Sequence, residues 1–179
     1  DNGYAVDIKK LYDNVMNRYK YGGLDTPGLY LDETTLRTCY YHRRLFAQLA
    51  KELIKQGDHV RARKVLTYAE QAVPAYNVPE IYESGSFDIA TAYAALGEKT
   101  KAVTLFNHLI AESEDYINWA FSLGNGRTGM MQNDCLYKFW QWNAYNERMK
   151  EIDKESYEAS NRRFEEKYAL FTQIINNRN

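Results

Sequence analysis

The residues from Arg43 to Tyr76, RRLFAQLAKELIKQGDHVRARKVLTYAEQAVPAY, constrain this chain more than any other stretch. Phe46, Leu49, Ala50 and Leu53 recur at the i, i+3, i+4, i+7 spacing that places apolar side chains on one face of an α-helix. Gly57 interrupts the pattern, and Ala62, Leu66 and Ala69 resume it before Pro74 ends it. A glycine followed by Asp58 is a helix stop and then a cap for the next start, and Pro74 lacks the amide proton that a helix needs. Ala50 and Ala62 carry little bulk, so two helices can pack at the short end of the usual interaxial range. The spacing therefore predicts a close helical hairpin.

A second copy of the same order of residue types follows at Ile89, Ala90, Tyr93, Gly97, Ala102, Phe106 and Leu109. Ser86 stands where the first copy has Phe46, Glu114 stands where it has Pro74, and an extra turn is needed near Asn77 to Tyr82. Together with Leu49, Ala50, Leu53, Gly57, Ala62, Leu66, Ala69 and Pro74, this order resembles the tetratricopeptide repeat, a helix–turn–helix unit of about 34 residues. The resemblance implies an all-α fold: an antiparallel helix-hairpin stack, a tetratricopeptide-like right-handed solenoid with flanking N- and C-terminal helices. Residues 1–179 are expected to form a single helical domain. Its parts would be a leading helix with a Gly/Pro connector over 1–32, two helix pairs over 33–123, and a C-terminal helix pair over 124–179.

The flanking parts follow from the same periodicity. Val6 to Tyr19 has Ile8, Leu11, Tyr12, Val15, Met16 and Tyr19 on one stripe and predicts a first helix. Tyr21 to Asp32 (YGGLDTPGLYLD) is a connector rich in turn residues, with Asp32 as an N-cap and Glu33 in the first turn of the next helix. That helix runs to Gly57 and is longer than the repeat requires. Tyr116 to Leu123 is apolar and aromatic, and Gly124 to Gly129 (GNGRTG) is the strongest break in the chain. A helix over Met130 to Ile152 carries Cys135, Phe139, Trp142 and Met149 on one stripe, with Leu136 and Trp140 beside it. A hinge at Asp153 to Ser156 precedes a last helix with Tyr157, Phe164, Tyr168, Phe171 and Ile175. No strand pattern stands out.

Composition bounds the function. A chain of 179 residues can bury roughly 70% of its unfolded surface without metals or disulfides. A formal charge of −1 excludes the basic excess that a nucleic-acid footprint needs. No apolar run is long enough to cross a bilayer. The start at Asp1, without a Met, points to a processed chain or a piece of a larger one. Two cysteines, Cys39 and Cys135, do not settle the redox compartment.

A wider similarity runs through Tyr21 to Tyr40 (YGGLDTPGLYLDETTLRTCY), then His42 to Leu45, then Pro74 to Pro79 (PAYNVP). Here the chain resembles the C-terminal region of a family of large multi-spanning bacterial membrane proteins, similar in their membrane part to protein O-mannosyltransferases. The resemblance implies the soluble region after the last span, on the periplasmic side of the inner membrane, tethered through an absent N-terminal region. It brings no catalytic residues with it.

Four sets of residues qualify as sites. Cys39 and His42, with His59 or His108, lack the paired spacings of a structural zinc site, so no metal or cofactor is expected. Arg37, Tyr41 and Arg44 share a helix face that can grip an anion or an acidic peptide end, against the plain reading of a solvated, salt-bridged face. Tyr116, Trp119, Phe121, Trp140, Trp142 and Tyr145 offer flat faces for sugar rings, or else belong to a core. Asp25 in LDTPG is a turn former and Asp32 a cap rather than acid–base pairs. There is no serine elbow, phosphate-binding glycine loop or metal-hydrolase helix motif. The leading expectation is a non-catalytic interaction or scaffold module holding a protein or peptide segment with Arg37, Tyr41, Arg44 and Tyr93. The alternative is a glycan-binding module built on Trp119, Trp140 and Trp142.

Overall fold

The computed structural model describes residues 7–176, of which eight segments are α-helical and none is a strand. In all, 79% of the described residues are helical, the π and 3₁₀ turns included. The chain divides into two compact units, one ending at Glu98 and the other starting at Lys99.

The first unit holds α1 (Ile8–Asp13), α2 (Glu33–Lys55), α3 (His59–Ala72) and α4 (Ser86–Ala95). Asp32 caps α2 by accepting from the Thr34 and Thr35 amides, and Glu33 stands in the first turn. Gly57, at φ +76°, stops α2 while the Asp58 amide reaches back to the Leu53 carbonyl. Asp58 then accepts from the Arg61 amide to open α3. Phe46, Leu49, Ala50, Leu53, Ala62 and Leu66 are fully buried, so the expected hairpin forms and its alanines face inward. Each buried Leu or Phe contributes about 1.5–3 kcal/mol. α4 lies against α2, parallel to it, because Arg43 and Arg44 meet residues 83–85 at the start of α4. α3 runs antiparallel to both: Arg63 near its start bonds the Leu96 carbonyl and the Glu98 carboxylate beyond the end of α4.

One feature differs from expectation here, and one expected feature takes a definite form. The leading helix is an α-helix only over Ile8–Asp13 and continues as a π-turn over Asn14–Arg18, closed by the Tyr19 amide on the Asn14 carbonyl. Val6 lies outside the described residues. Between α3 and α4 the extra turn is a bend at Pro74–Asn77 and a 3₁₀ turn at Tyr82–Ser84.

The second unit holds α5 (Lys99–Ser122), α6 (Asn125–Met130), α7 (Gln132–Ile152) and α8 (Lys154–Asn176). α7 runs antiparallel to α5, with Lys138 on Glu112, and α8 turns back along α7 while pairing Arg163 with Glu114 and Lys167 with Asn118 on α5. The expected break at Gly124–Gly129 is corrected: only Gly124 (φ +84°) breaks the chain, and α6 fills the rest. The Thr128 hydroxyl stabilises it through the Ala120 and Gly124 carbonyls. Met130 ends α6, so α7 starts at Gln132, and the hinge at Asp153–Ser156 narrows to Asp153. Cys135, Phe139, Trp142 and Met149 form the buried stripe of α7 as expected. On α8 the buried side chains are Ser160, Phe171 and Ile174, while Tyr168 is exposed.

Gly85 and Gly57 make a matched pair. Both have positive φ, but a Cβ at Gly57 meets nothing within 4 Å, whereas at Gly85 it falls 2.7 Å from Arg44 Cγ and 3.2 Å from Arg44 Cα. Gly57→Ala is expected to cost about 1–2 kcal/mol from the left-handed backbone alone. Gly85→Ala should cost more, because the α2–α4 approach must open. Denaturant unfolding of the two variants measures the difference, and equal losses would contradict this packing.

Candidate functional site

The site is assembled from one buried cation outward. Arg43 on α2 is 5% exposed. Its guanidinium donates to the carbonyls of Val73 (3.0 Å), Val78 (2.7 Å) and Pro79 (2.7 Å), and to Ser84 Oγ (3.0 Å). Burial lowers its pKa, and the nearby Glu80 charge opposes that. No helix or strand supplies partners to these carbonyls, so the side chain stands in for regular structure across the segment from Val73 to Ser84. Ser84 Oγ in turn donates to the Ile81 carbonyl and accepts from its amide.

That segment then holds the connector. Asn77 Nδ2 donates to the Leu24 and Thr26 carbonyls at 2.7 and 2.6 Å, and the Tyr76 hydroxyl donates to the Asp25 carbonyl at 2.8 Å. Asp25 sits in a turn closed by the Thr26 amide on the Gly23 carbonyl. The connector is thus anchored from 51 to 53 residues away. Tyr30 is left 91% exposed at its outer end, with Leu29 beside it.

Under the connector lies an aromatic cluster. His42 meets Tyr19, Tyr21 and Tyr41 edge-on, with ring centroids 5.4–6.1 Å apart, and Tyr21 also packs on Phe46 and Tyr68. The Tyr21 hydroxyl donates to the Val15 carbonyl inside the π-turn. Burial, with the neighbouring Tyr68 and Tyr19, raises the Tyr21 pKa. His42 Nδ1 is buried without a hydrogen-bond partner, and desolvation lowers the pKa of its ring. A cavity of about 500 Å³ opens between the connector and α3, lined by Asn17, Tyr19, Lys20, Gly22, Gly23 and Tyr68 among others.

The expected partner-binding residues do not all share this surface. Arg37 pairs with Glu33 on its own helix, and Tyr41 is 54% exposed. Arg44 donates to the Glu83 carbonyl. Tyr93 is a correction: it is buried and donates to the Glu70 carboxylate, with burial first and that bond second raising its pKa. The three-tryptophan platform is corrected too. Trp142 is fully buried, and its Nε1 donates to Ser160 Oγ, which donates to Asn146 Oδ1. Tyr145 is also fully buried, leaving Trp119 and Trp140 with exposed faces. Trp119 meets Tyr116 edge-on, and Trp140 stacks on Tyr137.

Cys39 and Cys135 are buried free thiols with pKa values raised by desolvation, which keeps them protonated and poor nucleophiles. Among the described residues no group of three His, Cys, Asp or Glu side chains can hold a metal ion, and no helix is long and apolar enough to cross a membrane. Sequence reasoning missed the roles of Arg43, Asn77 and Tyr76. An Arg on the apolar side of a helix facing a proline-flanked segment was the available signal.

No family model matches this chain, and no match emerges among curated proteins or solved structures.

The His42 environment sets a pH dependence. The unfolded chain takes up a proton near the ordinary value of 6.5, while the folded chain resists it until lower pH. Stability is therefore full above that value and falls as pH drops below it. Paired carboxylates such as Asp32 and Asp58 act only in the more acidic window near their ordinary 3.8. Denaturant midpoints measured between about pH 7 and pH 5 should decline for the parent chain and stay nearly flat for His42→Phe. The same slope in both would contradict a buried neutral imidazole.

Proposed function

We propose that this chain is a non-catalytic interaction module that holds a protein or peptide segment on the connector side of its first unit. The observation that carries this reading is the anchored connector. Twelve residues without helix or strand are tied at the Leu24, Asp25 and Thr26 carbonyls and carry Tyr30 and Leu29 outward. Preorganisation lowers the ordering cost of binding, and exposed rigid tyrosines are favoured contact residues. Tyr19 and Tyr41, each packed edge-on against His42, add two further exposed rings to this unit.

The alternation of α2, α3 and α4, with alanines at the close contact, supports a tetratricopeptide-like arrangement for this unit. The similarity of Tyr21–Tyr40 and Pro74–Pro79 to the soluble region of O-mannosyltransferase-like membrane proteins supports a setting on the periplasmic side. There the module would present an acceptor segment to a membrane-embedded partner domain. Anchoring and recognition use the same residues, since Asn77 and Tyr76 belong to the run that carries the similarity.

A photo-crosslinking residue placed at Tyr30 or Tyr41 in the full-length protein in cells is expected to give a discrete adduct. The same residue at the exposed Glu158 on α8 is expected to give none. Equal adducts at all three positions, or none at any, would contradict the proposal.

A further inference from the structure

We infer that the cavity between the connector and α3 is a binding site for a small oxyanion, a carboxylate or phosphate group carried on an apolar or ring-shaped body. This goes beyond the docking of a protein segment, because it assigns an open cleft between the connector and α3 and a ligand chemistry distinct from the outward face of Tyr30.

The first argument is the excess of unused donors. Among the described residues, nothing pairs with Lys20 Nζ, with the Gln71 side-chain amide, or with the Tyr19 and Tyr68 hydroxyls, and all four residues line the cavity. No carbonyl accepts from the Gly22 or Gly23 amides, whose φ values of +56° and +78° stand in the left-handed region. Successive main-chain amides in turns of this kind are recurrent anion contacts. The Asn17 amide is already committed to Asp13. Asp25 is the one carboxylate in the lining, so a ligand cation finds one acidic partner while a ligand anion finds a lysine and several neutral donors.

The second argument is shape. The cavity of about 500 Å³ lies within the usual range for small-molecule sites, and the Tyr19, Tyr21 and Tyr68 rings supply apolar walls. The third is the π-turn at Asn14–Arg18, which sets Asn17 at one edge and delivers Tyr19, Lys20 and Tyr21 to the rim. Single π-turns are frequent at functional sites.

The test uses the whole chain and follows tyrosine ring resonances with calorimetry. Inorganic phosphate, an N-acetylated dipeptide with a free C-terminus, the same dipeptide as its amide, and a neutral disaccharide are each titrated. The expected result is saturable binding of phosphate, the free-acid peptide or both, weakening with added salt, while the amide and the disaccharide leave the spectra unchanged. Phosphate alone would assign a phosphoryl ligand, and the peptide acid alone a chain terminus. Lys20→Met should weaken binding roughly tenfold or more, the scale of losing one charge-assisted hydrogen bond. Tyr68→Phe should weaken it a few-fold, with helix content unchanged for both. Titrations flat for both anions, full-strength binding to Lys20→Met, or equal binding of the neutral disaccharide would overturn the assignment.

Discussion

A single guanidinium organises the functional side of the first unit. Arg43 lies on the inner face of α2, where a charge without partners would be expelled, and it is kept there by three main-chain carbonyls and a serine hydroxyl. Each of those acceptors belongs to the link between α3 and α4, a stretch with little regular structure to satisfy its own polar groups. Cation and link therefore solve one another's desolvation problem. The benefit passes outward, because Asn77 and Tyr76 sit inside the held segment and fix the connector through its carbonyls. The connector edge of the donor-lined cavity, at Leu24 and Asp25, is fixed by this relay, while α2 and α3 place His42, Tyr41 and Tyr68.

The second unit is stabilised by a different device. Its core is the aromatic side of α7 and α8, where Phe139 meets Phe164, Tyr168 and Phe171. One polar thread runs through it from Trp142 to Ser160 to Asn146. A tryptophan N–H buried beside a serine serves the interior and not a ligand. The rings of this unit were thus divided by burial: Trp142 and Tyr145 to the core, Trp119 and Trp140 to the surface.

Much of the helical framework was legible in the sequence, because apolar spacing and stop signals act locally. Leu49, Ala50, Leu53, Ala62 and Leu66 faced inward as their spacing required, and Asp32, Gly57 and Asp58 capped as their chemistry required. Failures arose where a distant partner decided the outcome. GNGRTG became helical because Thr128 found the Ala120 carbonyl. The π-turn depends on the extra residue closed between Asn14 and Tyr19. Tyr93 read as a surface contact until Glu70, 23 residues earlier, accepted its hydroxyl. Less of the candidate site was legible, since Arg43 acts on residues 30–41 positions away and Asn77 on residues 51–53 away. No periodicity encodes such pairings.

The relay from Arg43 is tested most directly by amide hydrogen exchange on Arg43→Leu compared with the parent chain. Protection should fall across residues 73–85 and at Leu24 and Thr26, while the amides of α8 keep theirs. Unchanged protection at Leu24 and Thr26, or an equal loss throughout both units, would contradict the claim that one buried cation holds the connector in place.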